Sequence, residues 1–127
     1  MKKLFFILVM LIPFVGLKAQ TTNDEIQVVY FHMQDRCATC MAIEDGAKKA
    51  LDTYFSDDYK SGKIKMLSIN IEDNEQSELV KKWKISGSSL FIAKGDKKVN
   101  LTNKAFLLAR TQPEKYHDAL VKAIKSL

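Results

Sequence analysis

IQVVYFHMQDRCATC, residues Ile26 to Cys40, passes from one hydrophobic period to another. Its first half, Ile26–His32, is dense in β-branched and aromatic side chains, with an unbroken apolar run at Val28-Val29-Tyr30-Phe31. Alternation would mark a half-buried strand, whereas an unbroken run marks a central strand covered on both faces. From Cys37 to Phe55 the apolar residues recur at spacings of three and four, at Cys40, Ile43, Ala47, Leu51 and Tyr54. That spacing is one face of an amphipathic helix. The two cysteines therefore open a helix that follows closely on a buried strand. Gly46 falls inside this helix at a cost of about 1 kcal/mol relative to alanine, which predicts a kink or close packing by another element.

Downstream, Ser61-Gly62 reads as a turn and Lys63 to Ile71 (KIKMLSINI) as a second strand. Asp73 or Asn74 caps a short helix that runs through Trp83, as short polar side chains do at helix starts. Gly87-Ser88-Ser89 breaks that helix, and Leu90 to Ala93 is a third strand. Lys94-Gly95-Asp96-Lys97 is a turn signal that makes Lys98 to Leu101 the second arm of a hairpin. Asn103 to Arg110 shows no assignable period. Pro113 suits the first turn of a last helix, whose apolar stripe is Tyr116, Leu120, Ala123, Ile124 and Leu127. The order β-α-β-α-β-β-α predicts an α/β domain. Its first two strands are parallel through a right-handed crossover, its last two form an antiparallel hairpin, and helices cover both faces of a four-stranded mixed sheet.

Upstream lies a different kind of segment. Met1-Lys2-Lys3 is a short positive start, Leu4 to Val15 (LFFILVMLIPFV) an apolar run of 12 residues, and Ala19 a small residue just beyond it. This is the three-part pattern of a secretory signal peptide. A spanning helix needs about 20 apolar residues, so the competing reading, an uncleaved anchor, has too short a run, interrupted by Pro13. Residues 1–19 are therefore expected to be removed. That leaves a single domain over 20–127 with no membrane association, in a secreted or periplasmic setting where disulfides persist.

The whole chain of 127 residues is 46% hydrophobic and 28% charged, too apolar for disorder and too short for two domains. Its net charge is +5, but Lys2, Lys3 and Lys18 leave with the signal, and the mature domain stands at +2. That balance gives no argument for nucleic acid. Lys81, Lys82 and Lys84, with Glu75 and Glu78 upstream, read as a solvated helix face. Two cysteines exclude a multi-disulfide scaffold and a four-cysteine zinc site. There is no internal repeat or linker, and a monomer is expected.

The chemistry sits in Cys37-Ala38-Thr39-Cys40. At the start of a helix after a strand, this spacing reads as a redox dithiol. Cys37, at the helix N-terminus, meets free N–H groups and partial positive charge that stabilise a thiolate. Cys40, one turn on, resolves a mixed disulfide. Arg36 adds a positive charge that favours thiolate, and Asp35 and Glu44 oppose it. Two other readings stand beside exchange. One is a structural staple, although a ring closed over two residues stabilises little. The other is a soft-metal site, of the Cu(I) type, made by Cys37, Cys40, Met41 and His32, with Met33 nearby, since thiolate and thioether suit such ions. For Met41, core packing is preferred over ligation. For His32, a hydrogen-bonded structural role at the strand end is preferred. His117 is expected at the surface, and Trp83 as a packing residue.

The chain resembles the thioredoxin-like superfamily over nearly the whole mature domain. The resemblance rests on Val28-Val29-Tyr30-Phe31 followed by Cys37-Ala38-Thr39-Cys40, on Lys82 to Ile92, and on the Lys94-Gly95-Asp96 turn. More narrowly, Tyr30-Phe31-His32, Arg36 to Cys40, Ala42-Ile43-Glu44 and Ser68 to Ile71 resemble a small bacterial family labelled "nitrophenyl compound nitroreductase subunit, ArsF family". The resemblance implies a thioredoxin-like fold and thiol–disulfide exchange through Cys37 and Cys40 with a thiol- or disulfide-bearing protein partner. It also implies near-site roles for Arg36, His32, Ser88 and Ser89. The chain carries no flavin or nicotinamide fingerprint, so no organic cofactor is expected. It departs from the superfamily pattern at three places. Ala38-Thr39 stands between the cysteines in place of Gly-Pro, Ser89 in place of the cis-proline facing the dithiol, and Tyr30 in place of a buried carboxylate, for which His32 or Glu44 is a candidate substitute. The approach from His32 to Arg36 is also one residue longer than a tight connection of that family.

Overall fold

The structure is a computed structural model that describes residues 24–127. The signal segment read over residues 1–19 and its cleavage point lie outside the described residues. The elements are β1 (Ile26–His32), α1 (Ala38–Tyr54), α2 (Ser56–Ser61), β2 (Ile64–Asn70), a 3-10 turn (Asn74–Gln76), α3 (Ser77–Lys82), β3 (Ser89–Lys94), β4 (Lys97–Asn100), α4 (Thr102–Leu108) and α5 (Pro113–Lys125). The sheet order is β2-β1-β3-β4. β1 runs parallel to β2, with Tyr30 beside Ser68 and His32 beside Asn70. It runs antiparallel to β3, with Phe31 beside Ser89. β3 and β4 form the expected antiparallel hairpin.

β1 lies inside the sheet, and its unbroken apolar run serves two cores because successive side chains point to opposite faces. Val28 and Tyr30 join Leu90, Ile92 and Ile64 on the face covered by α1, α4 and α5. Val29 and Phe31 join Ile69, Leu79, Trp83 and Phe91 on the face covered by α3. On that second face Phe31, Trp83 and Phe91 meet at centroid distances of 5.5–6.2 Å, and the Lys98 ammonium lies 4.0 Å from the Trp83 ring centre. Trp83 is thus the packing residue expected of it.

Gly46 marks close packing without a break in α1. An added Cβ there would lie 2.9 Å from Tyr116 Cε1, so the absence of a side chain lets α5 press its tyrosine ring against α1. The Tyr116 hydroxyl donates to the Ile43 carbonyl at 2.8 Å, which ties the two helices together. Of the stripe read for α5, Tyr116, Leu120, Ala123 and Ile124 are buried, while Leu127 lies past the end of the helix and is half-buried against the same core. His117, expected at the surface, is half-buried beside Gly46. Two helices add to the expected order. α2 is a short polar turn ended by Gly62 in the left-handed region, at φ +86°. α4 occupies the segment without an assignable period. Among the described residues no helix is long and apolar enough to cross a membrane.

Candidate functional site

β1 ends at His32, and the loop 33–36 carries the chain to Cys37, which caps α1. Cys37 holds extended backbone angles (φ −80°, ψ 167°), and its sulfur accepts the Cys40 N–H at 3.2 Å. Sulfur here does what a serine or aspartate oxygen does at an ordinary N-cap. The same N–H and the helix dipole stabilise negative charge on that sulfur when it is reduced. No acidic residue lies in the first turn of α1 to oppose this. Cys37 is exposed, and Cys40, on the stripe with Ile43 and Ala47, is 8% exposed. The two are joined as a disulfide with Cα atoms 5.1 Å apart. One sulfur therefore faces solvent and the other faces the protein.

Arg36 is not a free charge beside the thiols. Its guanidinium is bonded to the Glu44 carboxylate, donates through Nη2 to Ser68 Oγ at 3.0 Å, and through Nε reaches His32 Nδ1 at 3.2 Å. The two opposed influences read from the sequence, Arg36 for thiolate and Glu44 against it, largely cancel in one ion pair. Lys48 completes the group by reaching the other Glu44 oxygen at 2.9 Å. Burial pushes the Glu44 carboxyl pKa up, but hydrogen bonds from Lys48 and Arg36 and their charges outweigh it and hold the group below its ordinary value. Glu44 is therefore an ionised carboxylate on the α1 face that packs on the sheet, one helical turn beyond Cys40. The hydrogen bond to Glu44 raises the Lys48 pKa in return.

His32 is 8% exposed, and its Nδ1 lies 2.8 Å from the Met33 carbonyl as well as near Arg36. A carbonyl needs a proton on Nδ1 and an arginine N–H needs a lone pair there, so Nδ1 serves one partner at a time. Tyr30, at the position where the resemblance implies a carboxylate, is fully buried, and its hydroxyl has no hydrogen-bond partner. Desolvation raises its pKa, so it stays a neutral phenol. Ser89 opens β3 beside Phe31, near the end of the sheet where the dithiol loop begins. Its hydroxyl donates to the Gly87 carbonyl at 2.9 Å, and no cis peptide bond occurs among the described residues. Ser88, just before it, is half-buried. Met41 corrects an expectation. It is 53% exposed, because it falls one position off the buried stripe that Cys40 begins, and it takes no part in the core. Met33 is 39% exposed in the loop.

Cys37, Cys40, Arg36 and His32 are thus gathered at one end of β1 and α1, with Ser89 opening the strand beside it and Ser88 in the loop just before. Lys48 and Ser68 join the site without a site role having been read for either from the sequence. Lys48 was signalled by its four-residue spacing from Glu44. Ser68 is a small polar residue between Leu67 and Ile69 of β2, in register with Tyr30.

No family model matches the chain, and no curated protein matches it. Solved structures do match. The germline-specific thioredoxin Deadhead of Drosophila melanogaster aligns with a TM-score of 0.50 at 20% identity, covering 78% of this chain and 81% of that one. The protein Trxlp of Edwardsiella tarda EIB202 aligns at 0.54 and 16% identity, covering 76% and 82%. Mitochondrial thioredoxin 3 of Saccharomyces cerevisiae, in its oxidised form, aligns at 0.50 and 16% identity, covering 82% and 80%. The chain has the thioredoxin-like fold expected from its sequence.

Proposed function

We propose that this chain is an exported thiol–disulfide exchange protein that acts through Cys37 and Cys40 on a protein partner. The observation that carries the reading is the asymmetry of the pair, with Cys37 an exposed N-cap whose sulfur accepts a helix N–H and Cys40 buried one turn behind it. In the reducing direction, the Cys37 thiolate attacks one sulfur of a partner disulfide, and the second partner sulfur leaves with the bonding pair. Cys40, once deprotonated, displaces the partner from Cys37, and two electrons have passed from the chain to the partner. The oxidising direction is the reverse. The N-terminal charge, apolar run and Ala19 support export. The motifs from Tyr30 to Glu44 and Ser68 to Ile71 support placement in the small bacterial family named above, where the chain supplies dithiol chemistry to a partner.

Replacement of Cys40 by serine tests this. Cys40→Ser leaves the attacking thiol and removes the resolving one, so mixed disulfides accumulate on Cys37. Non-reducing gels of the exported fraction are expected to show adducts in Cys40→Ser and none in Cys37→Ser, with an intact mass that starts near Gln20. No adducts in either variant, with copper co-purifying only with the wild type, would overturn the proposal in favour of soft-metal binding.

A further inference from the structure

The loop 33–36 is exposed throughout, yet it is fastened from two sides. On one side the Gln34 N–H donates to Glu72 Oε2 at 2.6 Å, just past β2, where the Ile71 N–H also donates to the His32 carbonyl at 2.9 Å. On the other, Arg36, the residue immediately before Cys37, reaches β1 through His32, β2 through Ser68 and α1 through Glu44. Glu44 is 7% exposed and is itself steadied by Lys48. The charged groups around this point are Arg36, Lys48 and Glu44, with Asp35 exposed in the loop and Asp45 exposed on α1. Since the guanidinium is matched by Glu44, its contribution is a fixed planar fork more than a net charge. A lysine ammonium at the same place carries the charge without the fork.

We infer that Arg36 is a positioning residue for Cys37, with Glu44 as its anchor, and that the clamp holds the Cys37 sulfur in line for attack on a disulfide. This rests on the exchange reading above. Disulfide exchange needs the attacking, central and leaving sulfurs in line, whereas alkylation by a small reagent reports mainly how much thiolate is present. The two reactions therefore separate position from charge.

The test uses the reduced exported protein, with oxidised glutathione as the probe. The Cys37 thiolate bonds to one glutathione sulfur and releases the other as thiolate. Cys40 then displaces the bound half, so that the chain gains a disulfide and two glutathiones are formed. Arg36→Lys is expected to slow this by about tenfold, the scale at which small misplacements act, while the pH midpoint of Cys37 alkylation stays where it is in the wild type. Ser68→Ala, which removes one contact of the fork at the sheet edge, is expected to slow it by about two- to threefold on the same reasoning. Glu44→Gln is expected to lie between the two. Far-UV circular dichroism reports whether each variant folds. If Arg36→Lys does not, the other two carry the comparison. Variants that keep pace with the wild type overturn the clamp, and so does slowing fully accounted for by a displaced alkylation midpoint. A wild type that fails to exchange with glutathione and traps no partner overturns the exchange reading itself.

Discussion

Gly46→Ala places one methyl group in the contact between α1 and α5. The new Cβ would meet Tyr116 Cε1 at 2.9 Å and Cδ1 at 3.1 Å, closer than carbon atoms pack. The ring has little freedom to yield, being 1% exposed and held by its hydroxyl to the Ile43 carbonyl at 2.8 Å. Alanine in a helix interior gains about 1 kcal/mol over glycine. Against this, overpacking costs about 1–3 kcal/mol, and displacing the ring threatens a hydrogen bond that contributes about 0.5–1.5 kcal/mol. The balance is a net loss of about 0.5–3.5 kcal/mol, most of it from the overpacked contact. Urea unfolding measures it as a lower midpoint at unchanged slope. In a Tyr116→Leu background, which removes the ring edge, the same glycine replacement is expected to become neutral or stabilising. Gly46→Ala at least as stable as the wild type would refute the packing argument, since helix propensity would then have prevailed over the contact.

Two further outcomes follow from the buried polar groups. The Glu44 carboxyl pKa is depressed in the folded state, so its contribution to stability is complete above the ordinary carboxylate value near 4.5 and fades as pH falls through the folded value. Melting profiles between neutral pH and acid are expected to steepen below that point in the wild type and to be flatter in Glu44→Gln, and parallel profiles would contradict the assignment. The Tyr30 hydroxyl has no partner, and an unpaired buried polar group costs about 1–3 kcal/mol. Tyr30→Phe is therefore expected to leave stability unchanged or raise it by about 1 kcal/mol, and a clear drop in the urea midpoint would show that the hydroxyl is bonded.

The sheet and the dithiol helix were legible because their signals are local. An unbroken apolar run became the inner strand β1, and the spacing from Cys40 to Leu51 became the buried stripe of α1. α4 was not legible, for a specific reason. The buried positions in and flanking it are Leu101, Ala105 and Ala109, a stripe made mainly of small residues, while two of its three large apolar side chains, Phe106 and Leu107, are 37% and 70% exposed and the third, Leu108, is half-buried. Hydrophobicity therefore pointed away from the packed face. Its start carries no side-chain cap at Leu101; instead the Thr102 N–H donates to Asn100 Oδ1 and the Leu90 N–H donates to Thr102 Oγ1. The Arg36 fork was hidden differently. Glu44 and Ser68 lie 8 and 32 residues away along the chain, and only the parallel pairing of β1 with β2 brings Ser68 to the same place.

Trp83 is the single tryptophan of the chain. It packs with Phe31 and Phe91 on the face of the sheet opposite the one that receives α1. The molecule thus carries one tryptophan emitter, on the opposite face of the sheet from the helix of the dithiol. Its emission reports loss of the aromatic cluster when the domain unfolds. Unfolding can be followed optically in the oxidised and the reduced protein on a common scale, and the difference between the two curves measures how strongly the oxidation state of the pair is coupled to the stability of the fold.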